Sequence, residues 1–409
     1  MTAGIVPIGT AATVRRPDKE GRGARIAFVS NTCFGLYQFR LWVMEALRER
    51  GYEVYAVAGE DGYTASLIAR GFHVELVPIS QHGTRLGDEV RLLSALDRTY
   101  RRLAFDFVFH YTIKPNIYGS LVARRLGIPN VAVVTGLGSF LDVRPAIKAA
   151  VTHQAYRLGA RAASEVWFLN HADADYFRER GYLRGTRYRL IPGEGIDLAH
   201  YAPPPGEGLS GRRTPRVALY AGRLLRAKGI YELAEAGRIL RRAGVPIAIR
   251  VLGRISREDP DSIDIAQLER WTKSGCFEYL GDTADVRPYI LNADCVVLPT
   301  HREGLSRVLL EAMALARPIV TTTVAGAQEL VRGGSNGILV PPRNAAALAE
   351  ALTEISSISE ERLMAMGREG RRRAGRDFST DKVMDAYLQV LERLPTFQPT
   401  GARDRHGQA

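Results

Sequence analysis

Short, mainly apolar runs, each closed by a turn and followed by a helical pattern, constrain this chain more than any other feature. RIAFVS (Arg25–Ser30) is the first, and the loop Asn31–Tyr37 follows it. A helix is expected from about Gln38, with Leu41, Met44 and Leu47 at core spacing, ending at Gly51. Val54–Ala58, Glu75–Pro78, Phe107–Phe109, Val131–Val134 and Val166–Leu169 continue the series. Runs that do not alternate with polar residues are buried on both faces, as in a parallel sheet covered by helices. At Ile191–Ser210 the pattern breaks into IPGEGID and PPPGEGLS, with no apolar period. It resumes at Arg216–Tyr220 and runs through Ile247–Leu252, Phe277–Tyr279, Val296–Leu298, Pro318–Thr321 and Gly337–Val340. The predicted fold class is therefore α/β, with two doubly wound parallel sheets either side of a linker. A chain of 409 residues suits two such cores better than one.

In folds of this kind, ligands bind where strand ends open into loops and helix N-termini. HREGLSRVLLEAM (His301–Met313) supplies such a place, with Glu303 in the turn and Glu311 about two helical turns further on. Taken alone, Glu303 reads as a helix cap and Glu311 as a solvated face residue. Upstream, Gly222-Arg223-LLRA-Lys228-Gly229 puts two cations across a loop after a strand, a spacing able to bracket a diphosphate. The first strand–helix junction has only Gly35 where a dinucleotide site needs G-x-G-x-x-G, which removes the main support for a dehydrogenase. Asp173-Ala174-Asp175 reads as a helix start, where acids are favoured by the dipole, and not as a metal site.

Charge and cysteine content exclude some classes. The net charge of +12 is spread, with 26 Lys/Arg against 19 Asp/Glu in residues 1–200, and no nucleic-acid-binding motif accompanies it. An anionic membrane surface fits this charge, through Arg98, Arg101, Arg102, Arg124, Arg125, Arg144 and Lys148; a solvated basic face is the alternative. Cys33, Cys276 and Cys295 are scattered, which favours a reducing cytosol over a disulfide framework or zinc site. No apolar run has the ~20 residues of a membrane span, and residues 1–24 do not read as a signal peptide.

Two motifs in order give a resemblance. The E-x7-E stretch at Glu303–Glu311, with G-R-x4-K-G at Gly222–Gly229, resembles the signature of retaining glycosyltransferases of family 4, which have the GT-B fold of two facing Rossmann-like domains. SNTCFGLYQFR, HYTIKPNIYGS and VTGLGSF resemble a narrower branch, bacterial enzymes that extend polyprenyl-diphosphate-linked glycans in capsule, O-antigen and glycoprotein glycan assembly. The resemblance implies a flexible segment 1–24, an acceptor domain 25–190, a linker 191–215 and a donor domain 216–379. It further implies a helix 380–395 packing back on the first domain, and a flexible tail 396–409.

By the same resemblance a UDP-sugar is the donor, and no metal or other cofactor is needed. Glu303 contacts the transferred sugar and Glu311 the ribose. Arg223 and Lys228 neutralise the diphosphate together with the N–H groups of Gly304, Leu305 and Ser306. Gly222, Gly253 and Leu280 line the nucleotide. His110 is the acceptor-side histidine beside the reacting sugar, although a histidine at a strand end can equally serve a backbone carbonyl. Asn31, Tyr37, Arg40, Lys114 and Gly136 are the remaining acceptor contacts. Front-face substitution is the expected route, since no carboxylate nucleophile can be named on the sugar's other face. A UDP-sugar 2-epimerase and a non-catalytic nucleotide-sugar-binding protein share this architecture and are the rival readings. The expected location is cytoplasmic, at the inner face of the membrane; nothing in the sequence fixes the oligomeric state.

Overall fold

The computed structural model describes residues 23–79, 86–137, 140, 146–204, 214–256 and 259–393. The expected flexible ends lie almost wholly outside these residues, as do Arg144 and the side chain of Lys148. In chain order the first half is β1 (Arg25–Thr32), α1 (Cys33–Glu49), β2 (Glu53–Gly59), α2 (Thr64–Ala69), β3 (His73–Leu76), α3 (Leu86–Leu103) and β4 (Phe107–Tyr111). A π-helical turn (Pro115–Gly119) leads into α4 (Ser120–Arg125), then β5 (Asn130–Val134), α5 (Ala146–Ala162), β6 (Glu165–Phe168), α6 (His171–Glu179) and β7 (Arg187–Leu190). The second half is β8 (Arg216–Ala221), α7 (Ile230–Arg242), β9 (Ile247–Leu252), α8 (Ile265–Lys273), β10 (Glu278–Tyr279), α9 (Arg287–Leu291) and β11 (Cys295–Leu298). It continues with α10 (Arg307–Ala314), β12 (Ile319–Thr322), α11 (Ala325–Leu330), β13 (Gly337–Val340), α12 (Ala345–Ser357), α13 (Glu360–Phe378) and α14 (Thr380–Leu391).

Two parallel sheets result, ordered β3-β2-β1-β4-β5-β6-β7 and β10-β9-β8-β11-β12-β13. The strand order reverses between β1 and β4 and again between β8 and β11. At each reversal the loops leave in opposite directions and open a crevice at the strand ends. The apolar runs behave as read: every residue of β4, β5, β8, β11 and β12 is buried.

Two local expectations are corrected. Helix α1 begins at Cys33, well before Gln38, because Thr32 Oγ1 accepts the Gly35 N–H (3.1 Å) and Asp61 accepts that of Phe34 (2.8 Å). What read as a polar loop is the helix's first turn. Strand β7 was not expected, since its sequence RYRL has no apolar run; it is the exposed edge of the first sheet.

Helix α14 crosses back to the first half. Val383, Met384, Tyr387 and Leu391 join the core around Phe28, Phe109 and Trp167, and the Tyr387 ring centroid lies 4.8 Å from that of Phe109. The Tyr111 and Tyr387 hydroxyls hydrogen-bond at 2.6 Å. The chain passes between halves at two adjacent places, joined where Ile196 N–H donates to Phe378 O (2.9 Å).

Candidate active site

The β8/β11 reversal brings the two C-terminal motifs together. After β8 the chain turns through Gly222 and Arg223 into a short 3-10 turn, Arg226–Lys228. After β11 it runs through Thr300, whose hydroxyl donates to Ala227 O (3.1 Å), and His301, whose N–H donates to the same oxygen (2.8 Å). With the loops tied, Lys228 Nζ sits 2.5 Å from Glu303 Oε1, the two side chains 23% and 10% exposed. Arg223 stands apart: its side chain is 52% exposed and pairs with Asp259 at 3.2 Å. Gly253 backs onto the same turn, where a Cβ would lie 1.8 Å from Gly222 O. Leu280 is half-buried against the C-terminal core, its N–H bonded to Val251 O (2.8 Å).

Between Glu303 and α10 lie Gly304, Leu305 and Ser306, and here the halves touch. A Cβ on Gly304 would fall 2.0 Å from Thr135 O, so only glycine fits the seam. Gly136 faces it from the same first-half loop, and Asn170 Nδ2 donates to Gly304 O (3.0 Å). Leu305 packs against the cores of both halves. Ser306, buried, occupies the N-cap of α10 without a side-chain capping bond, leaving that helix start uncapped by its own residue. Glu311, also buried, accepts on Oε1 from Tyr201 OH (2.8 Å) and from Arg307 Nε (3.0 Å). Burial and then Glu311 push the Tyr201 hydroxyl up to about 12. Burial opposes the Arg307 charge, but Glu311, Tyr201 and Glu194 outweigh it and hold the guanidinium above its ordinary value.

The β1/β4 reversal is different. His110 has no exposed surface: Nε2 lies 2.9 Å from Tyr100 OH and Nδ1 3.3 Å from Ser120 Oγ. Burial pushes its pKa down to about 3, a neutral ring walled in by α3 and α4. The resemblance had this ring beside the reacting sugar; here both nitrogens are occupied by protein hydroxyls and the ring has no open surface. Arg40 is enclosed likewise. Its side chain is buried, lies over the Tyr111 ring (4.5 Å) and sits 3.5 Å from the Glu194 carboxylate, so it faces no open diphosphate site. Lys114 pairs with Glu89 at 2.8 Å. The Tyr37 ring lies tilted against that of Tyr63 (centroids 5.3 Å), and Asn31 Oδ1 is buried without a hydrogen-bond partner among the described residues.

Asp173-Ala174-Asp175 serves its helix. Asn170 caps α6 by accepting the Asp173 N–H (2.8 Å), and Asp175 pairs with Arg178. Among the described residues no three His, Cys, Asp or Glu side chains converge as metal ligands would, and no helix is long and apolar enough to cross a membrane. Glu194, Tyr201, Arg307 and Asn170 were not singled out from the sequence. Arg307 was findable, as the i−4 partner of Glu311 on one helix; Glu194, between two glycines of a linker, gave no signal.

Comparison with known proteins matches both halves of the chain. The description "Glycosyl transferase 4-like domain" matches residues 35–194, and "Glycosyl transferases group 1" matches 215–357. The chain is 27% identical over 383 residues to N,N'-diacetylbacillosaminyl-diphospho-undecaprenol alpha-1,3-N-acetylgalactosaminyltransferase of Campylobacter jejuni, covering 90% of this chain and 99% of that one. It is 32% identical to the capsular polysaccharide biosynthesis glycosyltransferase CapM of Staphylococcus aureus over 41% of this chain and 43% of that one. Among solved structures, sucrose-phosphate synthase from Thermosynechococcus elongatus superposes with a TM-score of 0.75 at 19% identity, over 91% of this chain and 99% of the other. Anabaena HepE in complex with UDP and glucose gives 0.73 at 20%, over 90% and 99%. Both share the two-domain GT-B fold. With both halves matched, the chain is a glycosyltransferase built of a glycosyl-transferase-4-like first domain and a group 1 glycosyl-transferase second domain.

Proposed function

We propose that this protein is a retaining, metal-independent glycosyltransferase of family 4 that moves a sugar from a UDP-sugar to a polyprenyl-diphosphate-linked glycan in surface polysaccharide or glycan assembly. The observation that carries the donor half is the Lys228–Glu303 pair at the seam between domains, beside the uncapped start of α10. A diphosphate entering there takes Lys228 from Glu303. The lysine then neutralises charge that grows on the leaving group, aided by N–H groups at the helix start and by Arg223. The released Glu303 is free to accept from hydroxyls of the donor sugar, and Glu311 from those of the ribose.

In the proposed step the anomeric carbon–diphosphate oxygen bond breaks as the carbon–oxygen bond to the acceptor hydroxyl forms on the same face. The hydroxyl proton passes to the departing phosphate oxygen, so UDP leaves protonated at that oxygen and no protein nucleophile is consumed. The acceptor class rests on the full-length similarity to the Campylobacter undecaprenol-linked transferase. Attachment to an anionic membrane at its cytoplasmic side is part of the same reading. It is supported by a groove along α3 where exposed Leu76 and Val90 sit beside Arg91, Arg98, Arg101 and Arg102. Asp97 and Glu75 neutralise Arg101, Arg125 and Arg102 in part, which limits the field this face can offer.

UDP release across a panel of UDP-sugars, with EDTA present, tests the proposal. It is run with and without a short-chain polyprenyl-diphosphate-linked sugar. Release with one donor, dependent on acceptor and indifferent to EDTA, is expected. Release without acceptor would instead favour hydrolysis or epimerisation, and release abolished by EDTA would overturn the metal-free clamp.

A further inference from the structure

Glu311 can serve a ribose only if one of its carboxylate oxygens is kept free, and the segment joining the halves supplies a group placed to do that. Tyr201 of this segment is buried, and its hydroxyl donates to Glu311 Oε1 at 2.8 Å. Arg307, four residues before Glu311 on α10, donates from Nε to the same oxygen at 3.0 Å. Among the described residues no donor reaches Oε2. The backbone of Tyr201 is itself held. Its N–H donates to Asp197 O (3.0 Å), and its carbonyl accepts from Arg371 Nη1 of α13 (2.8 Å). Arg371 also donates to Leu198 O at 3.1 Å and to Ala314 O at the end of α10. One guanidinium therefore ties the segment to the helix that carries Glu311, and the Tyr201 hydroxyl is fixed relative to that carboxylate.

A carboxylate turns about its last bond unless an oxygen is held, and an arginine fork can cover both of its oxygens at once. Here Arg307 uses Nε alone, on the oxygen that Tyr201 also occupies. We propose that Tyr201 is a positioning residue that holds Glu311 by Oε1 and keeps Oε2 for the ribose hydroxyls of the donor, so that the site tells a ribonucleotide from its deoxy analogues. The inference rests on the reading of Glu311 as the ribose carboxylate. An ionised carboxylate only accepts, so it rewards a hydroxyl and offers nothing to the hydrogen that replaces one. Without the Tyr201 hydroxyl, Glu311 is free to turn and Arg307 closes on both oxygens. Oε2 is then taken before the donor arrives, and the advantage of the ribose hydroxyls is lost.

Calorimetric titration of the full chain with UDP, 2'-deoxy-UDP and 3'-deoxy-UDP tests this. Wild type is expected to bind UDP about tenfold or more tighter than at least one of the deoxy analogues. Tyr201→Phe removes one oxygen and keeps the ring. It is expected to bring that ratio to about threefold or less by weakening UDP, while the affinity of the poorer analogue changes by less than about twofold. A merely structural tyrosine would weaken all three ligands together. A ratio that stays near that of wild type therefore overturns the proposal and leaves the ribose reading of Glu311 standing. If Tyr201→Phe does not fold, Tyr201→Met, which also lacks the hydroxyl, decides by the same ratio; failure of both to fold makes the tyrosine a structural requirement and overturns the proposal. Wild type that binds UDP and both analogues equally overturns the ribose reading and the proposal with it, as does failure of wild type to bind UDP.

Discussion

The two sheet reversals are built alike and used differently. At β8/β11 the charged side chains meet across the crevice and remain partly reachable, as Lys228 and Glu303 do. At β1/β4 the residues of similar promise turn inward: His110 to Tyr100 and Ser120, Arg40 to Glu194, Lys114 to Glu89. Strand parity explains part of the contrast. His110 and Tyr111 are neighbours on β4 and so point to opposite faces. The tyrosine meets α14 and the histidine goes under α3. A strand end fixes where a loop leaves the sheet; it does not fix which face the last side chains serve.

The largest effect expected from this contrast is catalytic. Under the proposed function, Lys228→Ala removes a cation from the leaving group, and turnover should fall by about 10²–10³. His110→Gln, changing a ring that does not reach the crevice, should leave kcat of the folded enzyme within a few-fold. Steady-state UDP release with both variants measures this. A loss for His110→Gln as large as that for Lys228→Ala would erase the distinction between the two reversals.

A smaller effect is expected in stability against pH. The buried His110 ring is held down at about 3, whereas an unfolded histidine titrates near ~6.5. Between these values the unfolded chain binds a proton that the native state refuses. The contribution of the neutral ring is therefore complete above ~6.5 and is lost as pH falls toward 3. The slope is about 1.4 kcal/mol per pH unit, or about 2 kcal/mol between pH 6.5 and 5. Urea melts at pH 7 and pH 5 should show wild type losing about that much more than His110→Gln. Parallel losses would mean that the ring is not buried neutral.

These contrasts also account for what could be read from the sequence. The apolar runs gave nearly all the strands, because burial on both faces leaves a strand no polar position to blur. β7 escaped because an edge strand with exposed Arg187 and Tyr188 has no such run. The C-terminal motif residues were legible because each spans a single loop or helix, so local spacing fixes their geometry. Gly304, fitted against Thr135, and Glu194, 3.5 Å from Arg40 of α1, depend on contacts far along the chain, which no local pattern encodes. The surroundings of Arg40 were hidden for the same reason. The resemblance gave it as an acceptor contact, and in the structure it lies 3.5 Å from a carboxylate 154 residues away.

The smallest expected effect lies within the donor side, between its two cations. Lys228 is opposed by Glu303, which the proposed chemistry needs, whereas Arg223 is opposed by Asp259, which it does not. An ion pair with one side chain half in water is worth about 0–1 kcal/mol, so Asp259→Asn should leave stability within about 0.5 kcal/mol of wild type. The Asn keeps an oxygen to accept the Asp261 N–H, now at 3.1 Å. Arg223 then has no carboxylate to leave when a diphosphate arrives, and UDP affinity should rise by about two- to threefold, with the gain shrinking as salt is added. Calorimetric titration at two ionic strengths reads both. Unchanged affinity at low salt would mean that Arg223 does not exchange Asp259 for phosphate, leaving Lys228 as the cation that faces the leaving group.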